Sequence, residues 1–449
     1  MKDVFLTKYE VRGIKNLSDW VSLSFYRNTF SHNANLAGYN VKGIYGENGA
    51  GKTGLITSVK ILKELITDSD YLNNKFIQKK LDGLINKKIG YLEFYVEFYV
   101  GIGKRKRVYN YSIKVSKDAL GKYYIEMESL SYRNAFSHSN VFTNIYMIEK
   151  GQIVQLIADE VLSGMIIENT KNLLRDSTMA VTYINRVFSD NPQSKDLLMI
   201  DIVVLYVFGH SLFVYLNSED DHTEYVITEA IKLGEELDEF SLLDVLHSMH
   251  RTKESRICNL SPKLMSVPTE YYDEFSKQVL SLTEFLKKFK NQLVNITIEK
   301  TLDKDIYQCR LILNYEGYSV DAEYESTGIK KLVRIYSYLQ KMANGEIVFI
   351  DELDSNLHDV YLCALLEYLM EYGQGQLCFT THNIGPMDVL KRNKKSIDFL
   401  SSNGKIYPWV TNGNYSPSKL YREGMIEGSP FNIDSIDFIG VFDCEEDNG

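Results

Sequence analysis

One short segment limits what this chain can be more than any other. An apolar run, Val41 to Tyr45, leads into the glycine-rich sequence GENGAGKT, and a stretch with the apolar spacing of a helix follows. In the pattern GxxxxGK[ST], glycines let backbone N–H groups surround phosphate oxygens, the lysine reaches the β- and γ-phosphates, and the last hydroxyl binds Mg²⁺. The helix directs its positive N-terminal end at the phosphates. The segment predicts a site for ATP and Mg²⁺ built from Gly46, Asn48, Gly49, Ala50, Gly51, Lys52 and Thr53.

A pair of carboxylates follows a second apolar run. Ile347 to Ile350 reads as a short buried strand, and Asp351 and Glu352 come directly after it. We expect Asp351 to hold Mg²⁺, as in other ATPases with this phosphate loop. We expect Glu352 to orient or deprotonate the attacking water, with Lys52 as a further catalytic group. A solvated acidic turn is the alternative for such a pair, and the phosphate loop earlier in the chain favours the catalytic interpretation.

Three shorter motifs surround this pair in the sequence. The segment ESTGIKK has a polar glycine turn at the start of a predicted helix, and this turn, with Ser326 and Gly328, is a candidate second anion site. Because the chain already has one phosphate loop, we expect the turn to serve the nucleotide of another chain, whereas an ordinary helix cap is the alternative. Asp354 lies just after the two carboxylates. His382 ends the next predicted strand, where it could reach the γ-phosphate or be an ordinary loop residue.

Composition and charge exclude several other classes of protein. The net charge of −10 gives no basic field over the whole surface, which argues against a protein coated in nucleic acid. The five scattered cysteines contain no CxxC pair, which argues against a zinc site and fits a reducing cytoplasm. The apolar segment 197–216 contains Asp201 and His210, which favours a buried core helix broken near Gly209 over a membrane span. We therefore expect a cytoplasmic protein without a membrane partner.

The order of predicted elements divides the chain into four parts. Residues 1–155 combine strands, the phosphate loop and its helix with an antiparallel sheet at 90–132. Residues 156–300 have a mostly helical pattern and read as an inserted lobe. Residues 301–412 alternate helices and strands, which predicts a parallel sheet covered by helices and an α/β fold. Residues 413–449 form a C-terminal tail.

Taken in this order, the motifs resemble those of the ABC ATPases of the SMC, RecF and OLD group. The resemblance covers the regions 1–155 and 300–390. It implies an ABC-type ATPase domain, with a mixed sheet, an antiparallel β subdomain and an inserted helical lobe. It also implies a head-to-tail homodimer, within a larger homo-oligomer or alone, in which ATP held by one chain is closed by Ser326 and Gly328 of the other. Asp354 would be the D-loop aspartate and His382 the switch histidine.

The sequence departs from the family pattern in two places. The signature reads ESTGIKK rather than LSGGQ, which resembles the branch called AAA15 ATPases. The glutamine of the Q-loop has no clear counterpart. In the segment MIEKGQIVQLI, Lys150 stands at the usual glutamine position and Gln152 lies nearby.

The missing parts narrow the resemblance further. The insertion has no CxxC, and too few residues follow Asn383 for the Toprim domain of OLD nucleases. The chain resembles AAA15 ATPases of bacterial anti-phage systems, and its length and tail resemble the ATPase of the PARIS system, whose partner is a Toprim nuclease. This implies an ATP-driven switch that senses a phage trigger protein and controls a separate effector. A RecF-like repair ATPase that binds DNA directly is the alternative, and the basic segment 104–107 is either a solvated hairpin or a contact for nucleic acid or an acidic partner.

Overall fold

The computed structural model describes residues 4–26, 36–137, 141–188, 199–217, 226–229, 256–393, 395–410, 416–427 and 429. These residues form a mixed α/β structure in which antiparallel and parallel sheets are joined and covered by helices. Across the described ranges the helices are α1 (Lys52–Thr67), α2 (Lys75–Leu84), α3 (Glu160–Thr170), α4 (Met179–Tyr183), α5 (Ile200–His210), α6 (Tyr272–Lys287), α7 (Thr327–Ala343), α8 (Asp359–Tyr372), α9 (Met387–Leu390) and α10 (Pro417–Arg422).

An antiparallel sheet forms from the N-terminal part of the chain. In its strand β4, Leu92, Phe94, Val96 and Phe98 are fully buried, while the residues between them are half-buried. This period of two is that of a strand with one face on a core, and it confirms the antiparallel sheet predicted at 90–132. In the described residues the order is β2-β1-β4-β5-β6-β7-β8, with β1 (Val4–Arg12), β2 (Val21–Ser24), β4 (Tyr91–Ile102), β5 (Arg105–Lys117), β6 (Tyr123–Asn134), β7 (Thr143–Glu149) and β8 (Gln152–Leu156).

A second sheet, largely parallel, carries the sequence motifs. Strand β16 (Ile347–Ile350) contributes alternate residues to two hydrophobic cores on opposite faces of the sheet. Ile347 and Phe349 belong to the core that contains residues of α1 and α5, and Val348 and Ile350 belong to the core that contains residues of α7 and α8. Helices therefore cover both faces, which explains why its parallel strands are mostly apolar and why the charged residues Lys42 and Asp398 in them are buried as a pair. In the described residues its order is β19-β18-β3-β17-β16-β9, with only β19 antiparallel, and the strands are β3 (Val41–Gly46), β9 (Leu212–Tyr215), β16 (Ile347–Ile350), β17 (Gln376–Thr380), β18 (Ile397–Leu400) and β19 (Ile406–Pro408).

In the part that is described, the range 156–300 contains the helices α3 to α6 and also strands, which the expectation of a mostly helical lobe did not include. Strand β9 joins the parallel sheet beside β16, and β13 crosses the expected boundary at 300. Short apolar runs of this kind have no periodicity that separates a buried strand from a buried helix. The further strands are β10 (Val226–Glu229), β11 (Arg256–Asn259), β12 (Met265–Pro268), β13 (Leu293–Asp303), β14 (Ile306–Tyr315) and β15 (Tyr318–Asp321), with β12, β13 and β15 all paired to β14.

The described part of the apolar segment 197–216 is a buried helix that ends next to Gly209, where the break was expected, and a strand rather than further helix follows it. Helix α5 ends at His210, and β9 begins two residues later. Asp201 accepts hydrogen bonds from Arg107 and from the hydroxyl of Tyr109, so its charge is paired at the edge of the core. Among the described residues, no helix has the length and apolar character needed to cross a bilayer.

The C-terminal tail is described only in part. Helix α10 and the residues just after it are placed, whereas 411–415 and most of 428–449 lie outside the described residues. Tyr421 of α10 is buried in the core on the α7 and α8 side of the parallel sheet. The tail is therefore part of the packed structure in this short stretch.

Candidate functional site

The predicted motifs meet at one edge of the parallel sheet. Strand β17 lies between β3 and β16, and all three run in the same direction. The segments that follow Gly46, Ile350 and Thr380 therefore leave the sheet side by side. The carboxyl edge of an open parallel sheet is where such folds bind ligands. The glycine loop, the two carboxylates and the histidine are thus brought together from positions far apart in the sequence.

The glycine loop follows β3 in a conformation that depends on its glycines. Gly51 has a φ of 109°, and a Cβ placed there would lie 2.7 Å from a methyl carbon of Leu17. A Cβ on Gly46 would lie 2.2 Å from the carbonyl oxygen of Leu400. No other residue fits these two positions without moving the backbone. Ala50 is buried, Asn48 and Gly49 are exposed, and Thr53 lies half-buried in the first turn of α1.

Lys52 is held inside this loop. Its side chain is 6% exposed, and Nζ donates hydrogen bonds to the carbonyl oxygens of Gly46 at 2.7 Å and Glu47 at 2.9 Å. Burial lowers the pKa of Lys52 to about 8, and the carboxylates of Asp351 and Glu352 act in the opposite direction. The amine is therefore a pre-oriented positive charge beside the two carboxylates.

Thr380 fixes the backbone and side chain of the carboxylate pair. Its Oγ1 donates to Oδ1 of Asp351 at 2.7 Å and accepts from the N–H of Glu352 at 2.8 Å. Asp351 is 4% exposed and Thr380 is fully buried. Glu352 has a φ of 49°, a left-handed conformation that is strained for a residue with a side chain. One hydroxyl thus holds both acidic residues in place at the end of β16.

The side chain of Glu352 is held by residues that the sequence did not single out. Asn217, just after β9, donates from Nδ2 to Oε2 of Glu352 at 3.1 Å and to Oγ of Ser355 at 3.3 Å. Lys331 of α7 donates from Nζ to Oδ1 of Asn217, and its side chain is 3% exposed. Burial lowers the pKa of Lys331 to about 8, against the effect of Glu352 and Asp351. Lys331 is the last residue of the segment ESTGIKK, but the sequence indicated no role for it, and Asn217 was marked only by its position after an apolar run.

Asp354 and His382 lie next to each other. The backbone N–H of His382 donates to Oδ2 of Asp354 at 3.3 Å. The other carboxylate oxygen of Asp354 is buried, and it has no hydrogen-bond partner among the described residues. Burial, and then the charge of Lys52, lowers the pKa of His382, so its ring is neutral near pH 7. The imidazole of His382 is therefore close enough to Lys52 for the charge of the lysine to affect the pKa of the ring.

Ser326 and Gly328 form the start of α7. Ser326 is exposed, and its Oγ accepts a hydrogen bond from the N–H of Ile329 at 3.4 Å, as a helix cap does. A Cβ on Gly328 would lie 2.6 Å from the carbonyl oxygen of Asn356, in the loop after the carboxylate pair. The glycine therefore permits close packing between this turn and the segment that contains Asp354.

Lys150 and Gln152 are not part of the parallel sheet that carries the motifs. They belong to the hairpin between β7 and β8 in the antiparallel sheet, where Lys150 has a φ of 50°. The amide side chain that lies beside Glu352 is instead that of Asn217. The basic segment 104–107 lies at the hairpin between β4 and β5, with Lys104 in the turn and the other three residues at the start of β5. Its first three residues are exposed, and Arg107 is paired with Asp201.

Tyr421 reaches the glycine loop from the tail. Its hydroxyl accepts a hydrogen bond from the backbone N–H of Gly46, and burial raises its pKa to about 12. Its ring stacks on Phe399 with the centroids 5.5 Å apart. Nothing in the sequence indicated this contact, because a single tyrosine in an irregular tail has no pattern.

The oxygen groups at the site suit Mg²⁺. Among the described residues, no group of three His, Cys, Asp or Glu side chains is arranged to hold a metal ion alone. Mg²⁺ at nucleotide sites is held by one or two side chains together with phosphate oxygens, so such a cluster is not needed. The hydroxyl of Thr53 and the buried carboxylate of Asp351 are oxygen donors of the kind that Mg²⁺ prefers. The donor set therefore fits the ion.

No protein-family model matches this sequence, and a search of curated proteins also gave no match.

Proposed function

We propose that this chain is an ATPase of the ABC type, which binds ATP with Mg²⁺ and hydrolyses it to ADP and phosphate. The observation that carries the proposal is the convergence of three motifs on one sheet edge. Lys52 in the glycine loop is buried beside Asp351 and Glu352. Thr380, at the end of β17 between β3 and β16, holds both acidic residues through its hydroxyl. A phosphate cradle, a metal carboxylate and a base in this arrangement are the parts that phosphoryl transfer to water requires.

Each residue has a distinct part in the proposed reaction. The backbone N–H groups of the loop and the amine of Lys52 bind the β- and γ-phosphates. Mg²⁺, held by Thr53 and Asp351, would neutralise phosphate charge when bound. Glu352 takes a proton from water while the water oxygen attacks the γ-phosphorus and the bond to the bridging oxygen breaks. His382 is neutral near pH 7 and can donate a hydrogen bond to the γ-phosphate.

We further propose that two chains form the working unit, head to tail. The turn with Ser326 and Gly328 begins the 17-residue helix α7, and helix N-termini bind anions. Its proposed partner is the γ-phosphate of ATP held by Lys52 of the other chain. The turn packs against the carbonyl oxygen of Asn356, two residues after Asp354, so we place Asp354 at the proposed joint between the chains.

Hydrolysis by the purified chain tests the ATPase proposal directly. The protein should bind ATP and hydrolyse it in the presence of Mg²⁺. Lys52→Ala should lose both properties, because the buried amine is the charge that faces the phosphates. Lys79→Ala, on the exposed face of α2, is the matched control and should keep both. Unchanged ATP affinity in Lys52→Ala would overturn the assignment of this loop.

For the biological role, we propose a switch in an anti-phage defence system. The support is the resemblance to AAA15 ATPases, including that of the PARIS system, which act with a separate effector such as a Toprim nuclease. ATP would shift the pair of chains between open and closed forms, and an effector that prefers one form would be held or released. Co-expression with the neighbouring reading frame should yield a stable complex, and phage infection should release toxicity only when Lys52 is intact.

Direct DNA binding, as in a RecF-like repair ATPase, is the second candidate. The observation that favours it is the exposed hairpin turn with Lys104, Arg105 and Lys106. A duplex that contacts this turn would bind with an affinity that falls steeply as salt is raised. Replacing all three residues with Ser should then reduce the salt slope. Equal DNA affinity in both proteins would exclude this turn as the DNA contact.

A further inference from the structure

A chain of hydrogen bonds connects α7 with Glu352 inside one chain. Lys331 donates to Oδ1 of Asn217, and Nδ2 of Asn217 donates to Oε2 of Glu352 at 3.1 Å. Ser355 adds a second connection, since it accepts from Asn217 at 3.3 Å and donates to the carbonyl oxygen of Glu352 at 3.0 Å. The amide orientation of Asn217 is therefore set from both sides, with its oxygen toward the lysine and its nitrogen toward the carboxylate.

We propose that Lys331 is a positioning residue that acts through Asn217 to hold the carboxylate of Glu352 in the geometry needed to activate water. This inference rests on the proposed ATPase function and adds a residue to it. Lys331 is 3% exposed and its Nζ lies 4.4 Å from the ring centre of Tyr215, so the amine has little freedom to choose another partner. Partners of this kind orient a reacting group without touching the substrate.

The position of Lys331 gives the connection a second role. It lies five residues after Ser326 on the same helix, which is about 7.5 Å along a helix axis. The start of α7 is the turn that we propose contacts ATP on the other chain, while Lys331 reaches the base that acts on ATP in its own chain. Any shift of α7 when that turn engages a nucleotide moves the group that orients Glu352. Each site would thereby respond to occupancy of the other.

The same helix provides a matched control. Lys341 is also fully buried, and its Nζ also donates to an asparagine oxygen, Oδ1 of Asn259, at 3.3 Å. Lys341 lies ten residues further along α7, away from the carboxylate pair. Replacing either lysine with Met removes a buried amine and its bond to an amide, but only Lys331 is connected to Glu352. Any difference between the two variants in catalysis is therefore not a general effect of losing a buried lysine.

The experiment compares ATP affinity, kcat and thermal unfolding across a small set of variants. Lys331→Met should lower kcat by about 10- to 100-fold, the usual range for such supporting residues, with ATP affinity unchanged. Lys331→Arg should restore much of kcat because it keeps the charge and the donors. Lys341→Met should lower the unfolding temperature without a specific loss of kcat. Asn217→Leu should match Lys331→Met, and the double variant should be no worse than either single one, because both remove one connection.

Rescue by Lys331→Arg gives a reading that a purely structural role would not move. The charged groups that face Lys331 are Glu352, Asp351 and Asp354 from the loop after β16, and Arg334 from its own helix. Arg keeps a positive charge and hydrogen-bond donors beside these carboxylates, whereas Met only fills the space. Recovery of kcat with Arg but not with Met therefore assigns the effect to the charge and the donors rather than to packing.

Several results would overturn the inference. Unchanged kcat in Lys331→Met, or equal losses of kcat in Lys331→Met and Lys341→Met with no recovery in Lys331→Arg, would reduce Lys331 to a structural residue while leaving the ATPase proposal intact. If the Lys331→Met/Asn217→Leu double variant lost kcat by the product of the two single losses, the two residues would act independently, which contradicts the inference. Absence of hydrolysis by the unaltered protein would overturn both proposals, and it is measured in the same series.

Discussion

Glu128 makes the stability of this protein depend on pH in a way that can be calculated. Its carboxyl is fully buried on β6, where it accepts hydrogen bonds from Tyr146 at 2.7 Å, Tyr111 at 3.1 Å and the N–H of Met179 at 2.9 Å. Burial raises its pKa from 4.5 to about 7, even though these hydrogen bonds favour the charged form. The folded protein therefore binds this proton more tightly than the unfolded chain does.

The sign and size of the effect follow from this difference in pKa. The stabilisation is fully present below pH 4.5 and is lost as the pH rises to about 7, because the folded state must then ionise a buried group. At about 1.36 kcal/mol per pH unit, the difference amounts to about 3 kcal/mol of unfolding free energy. Met179 begins α4, which packs on α1, the helix that follows the glycine loop. Loss of the stabilisation from Glu128 therefore weakens the packing against α1.

Urea unfolding at a series of pH values between 4.5 and 8 tests this calculation. Glu128→Gln cannot ionise, so the unfolding free energy of the unaltered protein minus that of the variant should fall by about 3 kcal/mol across this range. Glu126→Gln, on the same strand, is the control. Ser116 and Lys114 lower the pKa of Glu126, so its contribution should be lost only as the pH falls. If the curves of the unaltered protein and Glu128→Gln ran parallel from pH 4.5 to 8, the reasoning would be refuted.

Three further predictions concern the site and the strand that leads into it. Glu352→Gln should bind ATP but hydrolyse it at least about 100-fold more slowly, and native mass measurement should find ATP-bound dimers; hydrolysis near the unaltered rate would remove Glu352 from its role. A mixture of Lys52→Ala and Gly328→Asp chains should recover hydrolysis, since one site of a mixed dimer is free of both lesions; no recovery in a mixture that exchanges subunits would contradict the arrangement in trans. Lys42→Met should cost about 3–5 kcal/mol of unfolding free energy, because the buried partner Asp398 at 2.7 Å is left unpaired, and replacing both residues with apolar ones should restore most of it. A small loss in calorimetric unfolding of the Lys42 variant would contradict that account.

Local patterns predicted the elements that carry the motifs. The glycine loop between β3 and α1, and the strand that ends at Asp351, lie where the sequence indicated. Each was specified by residues adjacent in the chain: a run of apolar residues, then glycines or carboxylates. The carboxyl ends of parallel strands lie at the same edge of a sheet. Predicting the strands was therefore sufficient to predict that Lys52 lies near Asp351 and Glu352.

The parts that were missed depend on distant contacts or on ambiguous short runs. Strand β9 reads equally well as the end of a buried helix, since four apolar residues have no period. Asn217 meets Glu352 across 135 residues of sequence, and Lys331 meets Asn217 across 114. No local pattern marks Asn217, and Lys331 is marked only as the last residue of the segment ESTGIKK, so the way in which Glu352 is held became visible only when β9 was placed beside β16.

The position of β3 between β17 and β18 determines when the site can form during synthesis of the chain. Val41 pairs with Leu377, and Gly46 pairs with Leu400, so the strand that leads into the glycine loop is made early and receives both neighbours late. About 330 residues must emerge from the ribosome in between, which takes roughly 20–60 seconds at ordinary elongation rates. A nascent chain therefore has the glycine loop long before it has the sheet edge that completes the proposed ATP site, and fragments that stop before β18 should not retain ATP.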